Sequence, residues 1–283
     1  MDIYRIQTAN GGISKFLFER VPLYIWIIIA TSVVSLALFV AGAVNPAVFG
    51  YAALTPSLII SGSRLWTLIT HIFAHGGIFH LFVNMFSLFF IGRVVEQIIG
   101  RKRFFWFYII AGVFAGAFSA LLAGFFGFGI GARLFGSSDV MMLGASGAIF
   151  GLLGIMAVLV PNKRIILFAG PIVVVVFGAL SGLFLSGAIL SALEFLLDIA
   201  LIVMVFALLF PFNSFSRIAV PITMPLWLAP IAAIVPLAVI SFFMQLPIGN
   251  AAHFGGLIAG LAYGVYLRIK FRKKVKLLQR YFR

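Results

Sequence analysis

Apolar residues run in long blocks along this chain, and polar residues collect in the gaps between them. A helix needs about 20 apolar residues to cross a hydrocarbon core about 30 Å thick. Blocks near Pro22–Ala43, Ile78–Ile99, Phe104–Phe126, Gly144–Val160, Pro225–Met244 and Ala251–Ile269 each predict one crossing. Residues 165–212 form a longer block. It is too long for one crossing and suits a hairpin of two, turning near Ser186–Ser191. The pattern therefore predicts an all-α, polytopic membrane protein with eight spans.

Composition agrees. The chain is 64% hydrophobic and 9% charged, which excludes a soluble domain of this size. Glu19 and Arg20 precede the first block, and no small-residue cleavage pattern follows it. That block reads as a retained span and not a signal peptide. The chain has no cysteine, so disulfides and thiolate ligands are excluded.

The net charge of +14 would suggest nucleic acid in a soluble protein. In a membrane protein its distribution matters more. With the N-terminus inside, every Lys and Arg except Arg64 and Arg133 falls on the inner side. This is the positive-inside signature, with both termini cytoplasmic. The tail "RIKFRKKVKLLQRYFR" then reads as a stop signal against anionic lipid. No aromatic platform or motif supports nucleic acid as a partner. The expected organisation is one membrane domain without internal repeats. It has a cytoplasmic segment 1–21, four spans in 22–164, a hairpin in 165–212, two spans in 213–269 and a basic tail 270–283. The plasma membrane of a prokaryote is the expected location.

The polar chemistry is concentrated. Ser146 lies in "MLGASGAIFGLLG", between Ala145 and Gly147 at the head of an apolar helix pattern. Small residues let membrane helices approach, so packing is the first explanation for it. All four histidines fall in two places: His71, His75 and His80 in "THIFAHGGIFHLFVNM", and His253 in "GNAAHFGGLIAG". Ionisable residues within spans are costly and point to function. His80 and Asn84 are four apart and share a helix face. Gly256 and Gly260 form a small stripe after His253, and Ser146 with Gly147 offers a matching smooth patch.

Depth brings these groups together. At 1.5 Å per residue, Ser146 and His253 each stand about 22 Å above the inner edge of their spans, and His80 about 24 Å. Ser146 also opens its helix, where the first N–H groups lack intrahelical partners. A hydroxyl, an imidazole and free donors in one layer suit nucleophilic catalysis. Three histidines spaced four and five apart could instead bind a metal. No HExxH, cysteine or adjacent carboxylate supports that, so no metal or other cofactor is expected.

Taken together, "WTLITHIFAHGGIFHLFVNM", "GASG" and "AHFGGLIAG", in that order, resemble the rhomboid family of intramembrane serine proteases. The resemblance implies a six-helix core, to which residues 165–212 add an inserted two-helix hairpin. It implies a Ser-His dyad without a third acid, acting on transmembrane protein substrates within the lipid bilayer. By position, Ser146 would be the nucleophile and His253 the base. His80, Asn84 and the Ser146 N–H would line the oxyanion site. Gly144 would keep the serine loop tight, and Phe150 would pack against the imidazole. His71 and His75 would hold the loop before the second span, with Trp66 as an interfacial anchor. Glu96 and Gly100-Arg101 fit the family's inner-end pattern of that span.

Two departures stand out. Relatives often have Trp-Arg where this chain has Trp66-Thr67, and Arg64 is the available substitute. Relatives also lack the insert, in which Glu194 and Asp198 are expected to lie at the interface, away from the bilayer centre. The alternative functions are a non-catalytic rhomboid-like protein that binds membrane helices, and a histidine-lined transporter. The resemblance leaves the oligomeric state open.

Overall fold

The computed structural model describes residues 21–182, 184–208, 214–243 and 249–281. The cytoplasmic segment expected to carry Arg5, Lys15 and Arg20 lies outside the described residues, as do the expected ends at 212 and 244. The main helices are α1 Leu23–Val44, α2 Ile78–Ile99, α3 Arg101–Phe126, α4 Ser146–Leu159, α5 Gly170–Ser181, α6 Gly187–Leu208, α7 Ala229–Phe243, α8 Asn250–Lys270 and α9 Arg272–Tyr281. Two strands, β1 Arg164–Phe168 and β2 Pro221–Pro225, lie before α5 and after α6.

The chain is an integral membrane protein, mostly helical. Among the described residues four helices are long and apolar enough to cross a bilayer: Leu23–Val44, Ile78–Ile99, Arg101–Phe126 and Gly187–Met204. The helices α4 and α7 are apolar but shorter. The 14 residues of α4 rise only about 21 Å. They start at Ser146 because Gly144 turns the chain with φ +125°, and they stop short of Pro161. Gly144 and Ala145 therefore belong to a loop and not to the span.

The insert differs from two equal spans. Arg164–Phe168 leaves the helical pattern and pairs antiparallel with Pro221–Pro225, Arg164 opposite Pro225 and Phe168 opposite Pro221. The first arm, α5, then has 12 residues, about 18 Å, and the second, α6, has 22. The turn between them precedes Gly187, so Gly187–Ser191 is helix. Asp198 consequently stands at the middle of α6, with Glu194 one turn earlier, and both are exposed. Both are expected near the outer turn, at the interface; Asp198 instead lies about three turns into the apolar helix α6.

The core forms around α4, whose residues are buried along most of its length. Gly147, Gly151 and Gly154 on α4 meet Gly256 and Gly260 on α8. A Cβ on Gly260 would land on the carbonyl of Gly151. Glycines at this spacing let the backbones touch, which is how membrane helices gain close packing. Large side chains, including Phe104, Tyr108, Leu88 and Ile155, fill the space around this pair.

Glu96, near the end of α2, fixes the start of α1. Its two carboxylate oxygens accept hydrogen bonds from the Leu23 and Tyr24 N–H groups, at 2.9 and 2.8 Å. These donors have no intrahelical partner, and negative charge is favourable at a helix N-terminus. At the other end, residues 64–70 hold the loop after α1. Arg64 donates to the Gly50 carbonyl and lies over the Tyr51 ring. Trp66 donates to the Tyr51 carbonyl at 3.0 Å, and Thr70 to that of Ala52 at 2.9 Å.

Candidate active site

Ser146 sits at the first turn of α4, below a loop tied from several directions. The Gly144 N–H donates to the His71 carbonyl at 2.9 Å. Leu54 and Met142 exchange backbone hydrogen bonds of 2.9 and 2.7 Å. Gly144 is required twice. Its φ lies where L residues are rarely found, and a Cβ there would be 2.9 Å from the His80 ring.

His253 lies in the first turn of α8, which faces the start of α4 through the glycine seam. Its Nε2 is 2.8 Å from Ser146 Oγ. The Phe150 ring, one turn after Ser146, stacks on the imidazole at 4.6 Å between centroids and 24° between planes. In the tautomer that lets Nε2 accept the serine proton, Nδ1 carries the hydrogen. That atom is buried and has no hydrogen-bond partner among the described residues.

Both groups open into a cavity of about 850 Å³, also lined by His80, Asn84 and the segment 132–144. His80 borders Gly144 from the start of α2. Asn84 is buried and donates one amide hydrogen to the His80 carbonyl at 2.9 Å. An amide carries two hydrogens, so the second remains for a group in the cavity.

His71 and His75 are buried but do not face one centre. His71 Nδ1 donates to the Thr67 carbonyl at 2.7 Å. His75 meets Ser35 of α1 at 3.0 Å through Nδ1. Since Ser35 Oγ donates its hydrogen to the Phe73 carbonyl, it accepts from His75 Nδ1. His75 Nε2 is then the acceptor that faces the Ala145 N–H, a long contact of 3.5 Å. These two histidines support the serine loop as well as their own. Sequence reasoning missed Ser35, although a small polar residue inside an apolar block was a usable signal. It also missed the pairing of Leu54 with Met142, which no local pattern announces.

Fold and site together define a helical integral membrane protein with a hydrogen-bonded serine–histidine pair at a cavity. The family model for the Rhomboid domain matches residues 62–202, a stretch that contains His80, Asn84 and Ser146 and ends before His253. This chain belongs to the rhomboid family. It is 38% identical over 104 residues to RHOMBOID-like protein 1 of Arabidopsis thaliana, 37% of this chain and 23% of that protein. It is 32% identical over 99 residues to the putative rhomboid protease YdcA of Bacillus subtilis (strain 168), 35% of this chain and 43% of that protein. It is 29% identical over 93 residues to inactive RHOMBOID-like protein 8 of Arabidopsis thaliana, 33% of this chain and 22% of that protein. The match spans less than half the length of each relative.

Proposed function

We propose that this chain is a rhomboid-type intramembrane serine endopeptidase that cuts transmembrane substrate helices near the outer face. The observation that carries this reading is the 2.8 Å contact between Ser146 Oγ and His253 Nε2 beside a cavity. Neutral imidazole can take the serine proton as Oγ attacks the scissile carbonyl. The resulting oxyanion would be met by the Ser146 N–H, His80 and Asn84. His253 then returns the proton to the leaving amine, and the C–N bond breaks to give an ester on Ser146. Water, deprotonated by His253, cleaves that ester and restores the serine. The substrate must unwind locally, because a helix hides its carbonyls in internal hydrogen bonds. Segments with small or helix-weakening residues near the outer end would do so most readily.

The same reading proposes a single domain of eight spans with both termini cytoplasmic. The β1–β2 pairing supports an even number of crossings in the insert, since it joins the chain before and after it. The family match to relatives from a plant and a bacterium is compatible with either cell type.

The similarity to an inactive rhomboid-like protein favours one other reading, a protein that binds membrane helices without cutting them. A fluorophosphonate probe separates the two, because only an activated serine reacts covalently. The full chain in lipid vesicles should be labelled and should cleave a single-span helix with small residues near its outer end. Ser146→Ala and His253→Ala should each lose labelling and cleavage while melting at the wild-type temperature. Labelling of Ser146→Ala to the wild-type extent, or an unlabelled and inactive wild type, would overturn the protease reading.

A further inference from the structure

A second cavity, of about 350 Å³, opens at the end of the bundle opposite Ser146. It is formed by the ends of α2, α4 and α8, the start of α3, and α9. Ser146 and Leu159 mark the two ends of α4, about 20 Å apart. The two cavities share no lining residue.

The walls of this cavity are apolar, with Val94, Ile98 and Leu278 among them, and two cations, Arg103 and Lys274, line it as well. Both cations are exposed. Among the described residues, no Asp or Glu lines the cavity. The nearest acid in sequence, Glu96, has both oxygens engaged by Leu23 and Tyr24. The Arg103 guanidinium lies over the Phe271 ring at 4.9 Å. A guanidinium carries five N–H donors, so a ring contact of this kind still leaves donors for an anion.

The helix α9 closes one side. Val275 is buried, and Gln279 Nε2 donates to the Leu159 carbonyl at 3.1 Å, at the last turn of the serine helix. Its other face carries Lys273, Lys276 and Arg280. A short basic amphipathic helix at the end of a bundle suits the membrane interface.

We propose that this cavity binds one anionic phospholipid, its phosphate held between Arg103 and Lys274 and an acyl chain lying along Val94, Ile98 and Leu278. Apolar walls beside cations that face no carboxylate among the described residues match both halves of such a molecule. A free phosphate would leave the walls wet, and a lipid of no net charge would leave the cations uncompensated. The volume is at the lower end of the range for ligand pockets, about 300–1,000 Å³.

The test uses the full chain in neutral detergent micelles, where no charged bilayer surface attracts the protein. Retention of added dioleoylphosphatidylglycerol and dioleoylphosphatidylcholine is read by native mass spectrometry. The phosphatidylglycerol should be retained preferentially. Arg103→Gln with Lys274→Gln should weaken its binding roughly thirtyfold, the scale expected for two basic residues. Lys274→Gln alone, at an exposed position of α9, should give about a fivefold loss without risk to folding. The pair Lys273→Gln and Lys276→Gln removes the same charge from α9 outside the cavity and should bind as wild type. Leu278→Trp, which fills the cavity and keeps every charge, should also lose the lipid. Equal retention of the two lipids, or an equal loss in the control pair, would overturn the site. Displacement by millimolar inorganic phosphate would overturn the lipid as its ligand. Ser146→Ala should bind normally, so this outcome is independent of the protease reading.

Discussion

Gly256 faces Gly147 across the α4–α8 seam with no room for a methyl group, since a Cβ on Gly256 would land on the Gly147 carbonyl oxygen. Gly147 follows Ser146 and Gly256 is three residues past His253, so this contact sets the distance between hydroxyl and imidazole. Gly256→Ala should therefore separate the helices and break the hydrogen bond. Overpacking of this kind costs about 1–3 kcal/mol. The expected outcome is a lower melting temperature in detergent together with loss of probe labelling at Ser146. Wild-type labelling at full stability would mean that the seam can open without cost to the pair.

Asn84→Ala should preserve folding and slow catalysis. One oxyanion donor is worth about 2.7–4 kcal/mol, a loss of about 10²–10³ in kcat. The bond from Asn84 to the His80 carbonyl sits inside a helix already held by its backbone, so its removal should matter less. Steady-state cleavage of one substrate by the two proteins measures this. An unchanged kcat would assign Asn84 to positioning His80 alone.

Phe150→Ala should loosen the imidazole without removing it. A stacked aromatic pair contributes about 0.5–1.5 kcal/mol beyond its buried area. The expected fall in kcat is about two- to tenfold, with Phe150→Tyr keeping most of the rate. If Phe150→Ala and Phe150→Tyr were equally slow, the ring would be acting through its size and not its stacking.

The insert should cross the bilayer an even number of times. With no native cysteine, single-cysteine variants give a clean readout. A cysteine at Phe184, exposed in the turn between α5 and α6, should react with an impermeant maleimide from outside. One at Ile218, after the insert, should react only when the inner side is opened. Labelling of the Ile218 variant in intact cells would invert α8 and carry His253 to the wrong end.

How far the sequence could be read depended on which signal carried each element. The bounds of α2 emerge intact from its apolar block, because that helix is long, uniform and set off by Gly77 and Gly100. The site helices are less ordinary. The sequence of α8 is diluted by Asn250, His253 and its glycines, and it is not among the helices whose hydropathy marks a span. It was found through its chemistry instead. The arrangement of Ser146, His80 and His253 was legible because rise per residue converts spacing into depth. β1 was not, because a long hydropathy window cannot distinguish "RIILF" as a strand from the start of a helix. Its β-branched residues, and the prolines bounding its partner, were the available signals. Asp198 was misplaced for the related reason that the turn fell a few residues early and α6 began at Gly187.

The antiparallel pair at the base of the insert also bears on how such a chain could acquire or shed those helices. Phe168 and Pro221 are the last partners of the ladder, and everything between them occupies the position of a hairpin loop. Two strands in that register need only about two residues to connect them. The insert is thus a greatly lengthened turn. A chain lacking residues 169–220 would still bring Leu226 to the Lys163 carbonyl, a hydrogen bond that lies outside the ladder. Gain or loss of the two helices could occur in one genetic event without reversing the direction of α7 or α8.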